Sequence, residues 1–241
     1  PKHAGIPVRV GYGGPGRKRA FTHAVTGWKP YRREHRSRWF GLLARAFGTQ
    51  PEAPKTLEVP AAARASAEAL LAELGRDPAR PLVVLEPGAS YGPAKCWPAD
   101  NFGALASGLL ALGVDVATGG TAATAAIERQ VARRAGPGLL HAVGRTPDLG
   151  VLLGLLAGAD LVVSNDTGPM HLAAIVGAPV LALFGATDPV VSAPIGAEPR
   201  HLVYDPEPCS PCFLRTCAVP GHPCLTKIGV GRVERLVRRM L

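Results

Sequence analysis

Residues 161–189, LVVSNDTGPMHLAAIVGAPVLALFGATDP, decide the fold. The apolar run Leu161-Val162-Val163 stops at Ser164-Asn165-Asp166-Thr167-Gly168, a small, hydroxyl-rich turn. Pro169 follows where a first-turn proline is tolerated, and residues 170–176 continue with helical spacing. Gly177 and Pro179 end that helix, and residues 180–184 form a continuous apolar strand suited to a sheet covered on both faces. A strand that feeds a helix through such a turn leaves backbone N–H groups free at the helix N-terminus, which favours phosphate. Asp166 and Thr167 add an acceptor and a hydroxyl, and His171 lies one helical turn along on the side of Thr167. By residue type alone, this is an anion- or sugar-nucleotide-binding turn in an α/β sheet.

The same alternation extends in both directions. Strands are predicted at 82–85, 114–118, 139–143, 161–164, 180–184 and 201–204, and helices at 61–74, 99–112, 122–135, 148–157, 169–176 and 230–241. Strand–helix alternation of this kind predicts a parallel, doubly wound, Rossmann-like sheet with ligands outside the strand carboxyl ends. Ahead of it come a strand at 8–12, broken by Gly13-Gly14-Pro15-Gly16, and a helix at 32–47. Residues 48–60, GTQPEAPKTLEVP, are proline-rich without periodicity and read as a linker.

The 241 residues are 47% hydrophobic, enough for a substantial core in one large or two small domains. No run of about 18 uninterrupted apolar residues argues for a spanning helix, and no charged-then-apolar leader pattern stands at the start. The chain begins at Pro1 without an initiator methionine and reads as a fragment or a trimmed form. Its charge is uneven: residues 1–50 carry 11 Lys/Arg against the single acid Glu34, whereas residues 51–241 carry 16 basic and 17 acidic residues, so the net +9 comes from the first fifth. Arg17-Lys18-Arg19 and Arg32, Arg33, Arg36 and Arg38 are interleaved with Phe21, Trp28, Tyr31, Trp39 and Phe40. That mixture suits an anionic surface with an apolar boundary, such as headgroups, a phosphorylated glycolipid or nucleic acid. The plainer reading is a solvated loop that keeps the protein soluble.

Two motifs carry a family resemblance. One is Ser164-Asn165-Asp166-Thr167-Gly168 with His171, Ala173-Ala174 and Gly185-Ala186-Thr187-Asp188-Pro189; the other is Glu86-Pro87-Gly88-Ala89-Ser90-Tyr91-Gly92-Pro93-Ala94-Lys95-Cys96-Trp97-Pro98. The first resembles the [ST]-N-D-[ST]-G-x-x-H-x-A-A and G-x-[ST]-x-P pattern of the family 9 glycosyltransferases, the ADP-heptose:lipopolysaccharide heptosyltransferases. The second resembles that family's P-G-A-x-[FY]-G-P-A-K-x-W-P loop, most of all in its heptosyltransferase II branch. The resemblance implies the GT-B architecture, in which two doubly wound domains face each other across a cleft. Residues 1–50 are then expected to be the tail of the N-terminal, acceptor domain, 51–60 the linker, and 61–241 the donor-binding domain.

The resemblance also implies a reaction. L-glycero-D-manno-heptose passes from ADP-heptose to the lipid A–Kdo inner core of lipopolysaccharide with inversion, as the acceptor oxygen attacks the anomeric carbon and ADP leaves. The enzyme is expected in the cytoplasm, peripheral on the inner membrane through residues 1–50, with no cofactor and no nucleic-acid partner. The family's catalytic aspartate lies in a region expected ahead of Pro1, so this chain is expected to bind donor better than it turns over.

Within the matched motifs, Lys95 is expected to meet the diphosphate or the charge building on departing ADP, though such a lysine is ordinarily a surface residue beside a buried Trp97. Ser90 offers a hydroxyl on the same loop, and Trp97 and Pro98 are expected to fix it by packing. Asp166, Thr167, Gly168 and His171 match donor-contacting positions; Asp166 also suits a helix cap, His171 a satisfied helical histidine, and Met170 the core. Gly120, in Thr118-Gly119-Gly120-Thr121, is placed at the border of the adenosine pocket. Some relatives carry a glutamate or lysine about two residues after that glycine, where this chain has Ala122 and Ala123; Glu128 is not put in its place.

Cys209, Cys212, Cys217 and Cys224 form C-x2-C-x4-C-x6-C beside His222, a spacing open to zinc, to an iron–sulfur cluster or to free cytosolic thiols. Cys96 stands alone and reads as a packed thiol. Three rival functions compete: another family 9 transferase with a different acceptor, a basic nucleic-acid-binding module with a Cys-ligated metal, and a noncatalytic lipid-surface protein. The second leaves both sugar-nucleotide motifs idle and places its basic and cysteine-rich parts at opposite ends of the chain.

Overall fold

The structure is a computed structural model that describes residues 4–14, 16–25, 34–49, 56–196 and 200–241. In chain order its elements are β1 (Val10–Tyr12), β2 (His23–Val25), α1 (Arg36–Arg45), α2 (Ala61–Glu73), β3 (Leu82–Glu86), α3 (Ala99–Ala111), β4 (Asp115–Thr118), α4 (Ala125–Ala135) and β5 (Leu140–His141). There follow α5 (Leu149–Ala157), β6 (Leu161–Asn165), α6 (Gly168–Ile175), β7 (Val180–Phe184), α7 (Pro189–Ser192), β8 (Arg200–Tyr204), α8 (Pro223–Thr226) and α9 (Val230–Met240). The chain divides into two compact units, residues 1–53 with 190–192, and residues 54–189 with 193–241.

In the smaller unit, β1 and β2 pair in parallel with Val10 opposite His23; the sequence predicts the first of these strands and no strand at the second. Tyr12 packs edge-on against Trp39, ring centroids 5.9 Å apart, and its hydroxyl donates to the Trp39 carbonyl. Helix α1 is shorter than the expected 32–47, with His35 at its N-cap accepting from the Ser37 N–H. It buries no residue, and Phe40 stands exposed beside Arg36 and Arg38. Trp28, Tyr31, Arg32, Arg33 and linker residues 50–55 lie outside the described residues.

The larger unit is built on one six-stranded parallel sheet in the order β5-β4-β3-β6-β7-β8. Counted from β3, this is the order 3-2-1-4-5-6 of two mononucleotide-binding halves, as the alternation predicted. Side-chain alternation in strands buried on both faces divides the core in two. Leu82, Val84, Val162, Val180 and Ala182 face α2, α5 and α6, whereas Val83, Leu85, Leu161, Val163, Leu181 and Leu183 face α3, α4 and α9.

Most boundaries fall within a residue or two of expectation, with local causes for the differences. The expected helix 122–135 opens as a 3-10 turn over Ala122–Thr124, and α4 starts only at Ala125. Helix α6 starts at Gly168, one residue early, because Thr167 already has the extended N-cap conformation. At α5 Asp148 sits outside the helix as its N-cap and accepts the Val151 N–H at 2.9 Å.

Candidate functional site

The order of strands reverses between β3 and β6: from β3 the sheet grows through β4 to β5, and from β6 through β7 to β8 on the other side. Ligands of doubly wound sheets sit outside the strand ends at such a point. Two loops meet there, the one after β3 carrying Lys95 and the one after β6 carrying Asp166. Lys95 Nζ donates to Asp166 Oδ2 at 2.7 Å and to the Asp166 carbonyl at 3.2 Å. From the loop after β7, Thr187 Oγ1 donates to the same Oδ2 at 2.6 Å. One carboxylate therefore ties together three strand-end loops. The Asp166 side chain is 4% exposed and that of Lys95 16%, so the pair is shielded from water and little screened by salt. An ammonium has three N–H donors, and Asp166 takes two.

Alternation explains how the Lys95 loop is held. Ser164 shares the face of Val162, so Asn165, the last residue of β6, points to the opposite face, where Trp97 lies in the core. Asn165 Oδ1 accepts the Trp97 N–H at 2.9 Å, and its Nδ2 donates to the Pro87 carbonyl at 2.8 Å. One buried amide thus clamps both ends of the loop. Trp97 itself donates from Nε1 to the Ile228 carbonyl at 2.9 Å and packs edge-on against Phe102, centroids 5.0 Å apart. Packing of Trp97 was expected, but the clamp was not.

The cysteine-rich segment forms a wall against the same loop. Tyr91 donates its hydroxyl to the Phe213 carbonyl at 2.7 Å, the Ala94 N–H reaches the Arg215 carbonyl at 3.1 Å, and His222 Nε2 donates to the Ala94 carbonyl at 3.0 Å. On the other side, the Phe213 N–H donates to the Ala186 carbonyl at 2.8 Å, next to Thr187. Gly92 makes this contact possible. Its φ is +152°, and a Cβ there would stand 2.3 Å from the Arg215 carbonyl oxygen. Lys95 Nζ and the Arg215 guanidinium lie 5.2 and 5.4 Å from the Tyr91 ring centroid, so two cations flank one aromatic ring.

All five cysteines are free thiols, and among the described residues no group of three or more His, Cys, Asp or Glu is arranged to hold a metal ion. Burial pushes the Cys224 thiol up, the nearby Cys217, Cys209 and Cys212 push it further, and a hydrogen bond with Ser210 opposes them. Burial also raises the Cys96 thiol, as suits a packed side chain.

At the turn itself, Thr167 rather than Asp166 is the N-cap of α6, and its side chain makes no capping bond; Asp166 is committed to Lys95 and Thr187 instead. Uncapped first-turn N–H groups beside an exposed Gly168 are the anion-favouring arrangement the sequence predicted. His171 lies half-buried in the next turn. Lys95, Asp166, Thr167 and Gly168 are thus brought together. Ser90, exposed, and Gly120, at φ +142°, stand on the adjacent loops after β3 and β4, without a described contact to the Lys95–Asp166 pair. On the β4 side, Glu128 Oε1 accepts from Thr118 Oγ1 at 3.3 Å and pairs with His141 Nδ1 at 2.6 Å.

One group escaped the sequence reading as a source of chemistry. Glu86, the last residue of β3, is 2% exposed, and burial pushes its carboxyl up to about 8. Its Oε1 is buried without a hydrogen-bond partner. An acidic residue closing the otherwise apolar run Leu82-Val83-Val84-Leu85 was the available signal.

A family model for glycosyltransferase family 9 (heptosyltransferase) matches residues 1–222. Lipooligosaccharide heptosyltransferase 2 of Haemophilus influenzae is 37% identical over 121 residues, covering 48% of this chain and 34% of that protein. The chain spans about a third to a half of the length of the curated relatives it matches. The solved structure of E. coli ADP-heptose lps heptosyltransferase II superposes with a TM-score of 0.76 at 24% identity, covering 100% of this chain and 71% of that one. E. coli heptosyltransferase WaaC with ADP-2-deoxy-2-fluoro heptose superposes at 0.62 and 19% identity, covering 97% and 65%. At these identities the superpositions show a shared fold.

Proposed function

Because the chain belongs to glycosyltransferase family 9, we propose that its larger unit is the donor-binding half of a heptosyltransferase that takes ADP-heptose and serves the lipopolysaccharide inner core. The observation that carries this reading is the shielded Lys95–Asp166 pair at the reversal of strand order, beside the open N-terminus of α6. The donor diphosphate lies against the first-turn N–H groups at Thr167 and Gly168, and Lys95 gives it its third N–H. Asp166 holds the ammonium in place and faces the sugar hydroxyls, with His171 and Ser90 as further donor contacts. As the acceptor oxygen attacks and the anomeric bond to ADP breaks, negative charge grows on the diphosphate. A cation already fixed in a poorly screened site stabilises that charge without reorganising. The acceptor's proton goes to a base assigned to no residue of this chain.

We place the smaller unit, with Arg36, Arg38 and the exposed Phe40 on α1, on the acceptor and membrane side, in the cytoplasm. No helix among the described residues is long and apolar enough to cross a membrane.

Calorimetric titration with ADP and a nonhydrolysable ADP-heptose analogue tests the reading. The chain is expected to bind both, and Asp166→Ala and Lys95→Ala to lose at least tenfold in affinity. A folded wild-type chain that binds neither, or variants that bind as wild type does, would refute it.

A further inference from the structure

The carboxyl of Glu86 is built into a place where the fold gives it no partner. In register, Glu86 sits opposite Ser164 of β6, and Gly119, the first residue beyond β4, follows the pair Leu85 and Thr118. A Cβ on Gly119 would stand 2.0 Å from Glu86 Oε1, so the carboxyl lies directly against that glycine. Glu86 and Ser164 share the face of Val84 and Val162, the face on which α6 packs. Ser164 Oγ in turn lies 3.4 Å from Thr167 Oγ1, at the N-cap of α6. Gly119, Glu86, Ser164 and Thr167 therefore run in a row along the strand ends, from the loop after β4 to the proposed phosphate site.

In dinucleotide-binding sheets an acidic side chain at the end of the second strand receives the ribose hydroxyls. Here the second strand of the order is β4, and the loop after it has no ionisable side chain from Gly119 to Ile127. Glu128, the next acid, is already bonded to Thr118 and His141. The acid available at that edge comes from the neighbouring strand, and Gly119 leaves the space for it. Glu86 stands one strand spacing, about 4.8 Å, from the Ser164 position, the scale of the step from a phosphate to its sugar.

We propose that Glu86 reads the sugar of the donor nucleotide, its partnerless Oε1 beside Gly119 accepting a ribose hydroxyl while the diphosphate occupies the N-terminus of α6. The inference rests on the donor-site reading above and adds a specificity-determining residue to it. Hydrogen bonding to a hydroxyl replaces the missing partner, so a nucleotide lacking that hydroxyl leaves the buried oxygen orphaned and binds more weakly.

Titrating the whole chain with inorganic pyrophosphate, ADP and 2′,3′-dideoxy-ADP separates the two readings. The wild type is expected to bind ADP at least about tenfold more tightly than the dideoxy form. Glu86→Gln and Glu86→Ala are expected to shrink that ratio to within about threefold while leaving pyrophosphate affinity unchanged, which also certifies that they fold. A wild type that binds ADP and dideoxy-ADP equally overturns the role of Glu86 without any variant. So does a discrimination that survives in both variants, which would leave Glu86 a structural acid satisfied by water. A folded wild type that binds neither pyrophosphate nor ADP removes the donor site itself, and this inference with it.

Discussion

Replacing Glu86 by glutamine isolates the effect of one buried ionisation on stability. Burial raises the folded carboxyl from 4.5 to about 8, so the folded state keeps its proton over a range in which the unfolded chain has lost it. A folded state that binds more protons loses stability as pH rises. The contribution of Glu86 is therefore fully present below about pH 4.5 and is withdrawn progressively up to about pH 8. Full withdrawal across that interval costs about 5 kcal/mol, and between pH 5.5 and 7.5 the ideal slope costs about 2.7 kcal/mol. Even half of that slope, about 1.4 kcal/mol, is a sizeable part of a total near 5–15 kcal/mol. Glutamine has nearly the same shape and no charge at any pH. Its unpaired amide adds an offset, but that offset does not vary with pH. Urea unfolding of both proteins at pH 5.5, 6.5 and 7.5 is expected to show the variant gaining on the wild type steadily as pH rises. Parallel stability curves, with a difference constant to about 0.5 kcal/mol, would mean that Glu86 ionises as easily folded as unfolded. The physical account of its burial would then fail.

Three other perturbations address the support of the site. Gly92→Ala drives a Cβ into the Arg215 carbonyl and strains a positive φ; thermal unfolding should show a loss of about 1–3 kcal/mol, and pyrophosphate binding should weaken as Lys95 moves with its loop. Asn165→Leu leaves the Trp97 N–H and the Pro87 carbonyl without their partners, for an expected cost of about 2–4 kcal/mol in urea unfolding; a smaller loss than Ser90→Ala would contradict the clamp. A double-mutant cycle over Lys95→Met and Asp166→Asn should return a coupling of about 1–3 kcal/mol, and additive single effects would show that the 2.7 Å pair contributes nothing as a pair.

The cysteine-rich segment supports the Lys95 loop through its backbone. Its backbone carbonyls at Phe213 and Arg215 receive Tyr91 and Ala94, and His222 closes the contact from the other end. Buried Cys224 and Leu225 anchor the segment below, where a Cβ on Gly185 would meet both. The loop that carries Lys95 thus has one side fixed by Asn165 and the other by a segment about 120 residues later in the chain.

Strands, helices and the phosphate-favouring turn were legible because each depends on neighbours in the chain. Periods of two and 3.6, the Ser164–Gly168 turn chemistry and the stops at Gly177 and Pro179 are local properties, and β7 falls at its predicted bounds. The 3-10 opening before α4 escaped because an alanine-rich stretch has the same composition in either helix. The residues of the two motifs, Lys95 in one and Asp166, Thr167 and Gly168 in the other, could also be named from the chain alone, since each set stands together in it. Their joint geometry was not legible there. That Lys95 reaches Asp166, 71 residues away, follows from β3 and β6 being neighbours, which is set by the crossover and not by either segment. The Asn165 clamp and the meeting of Glu86 with Gly119 depend likewise on register between strands, and the wall built by residues 213–222 on a loop folding back over about 120 residues of chain. Shifting a strand by one residue would turn each of these side chains to the opposite face, so only the packed sheet decides which of them meet.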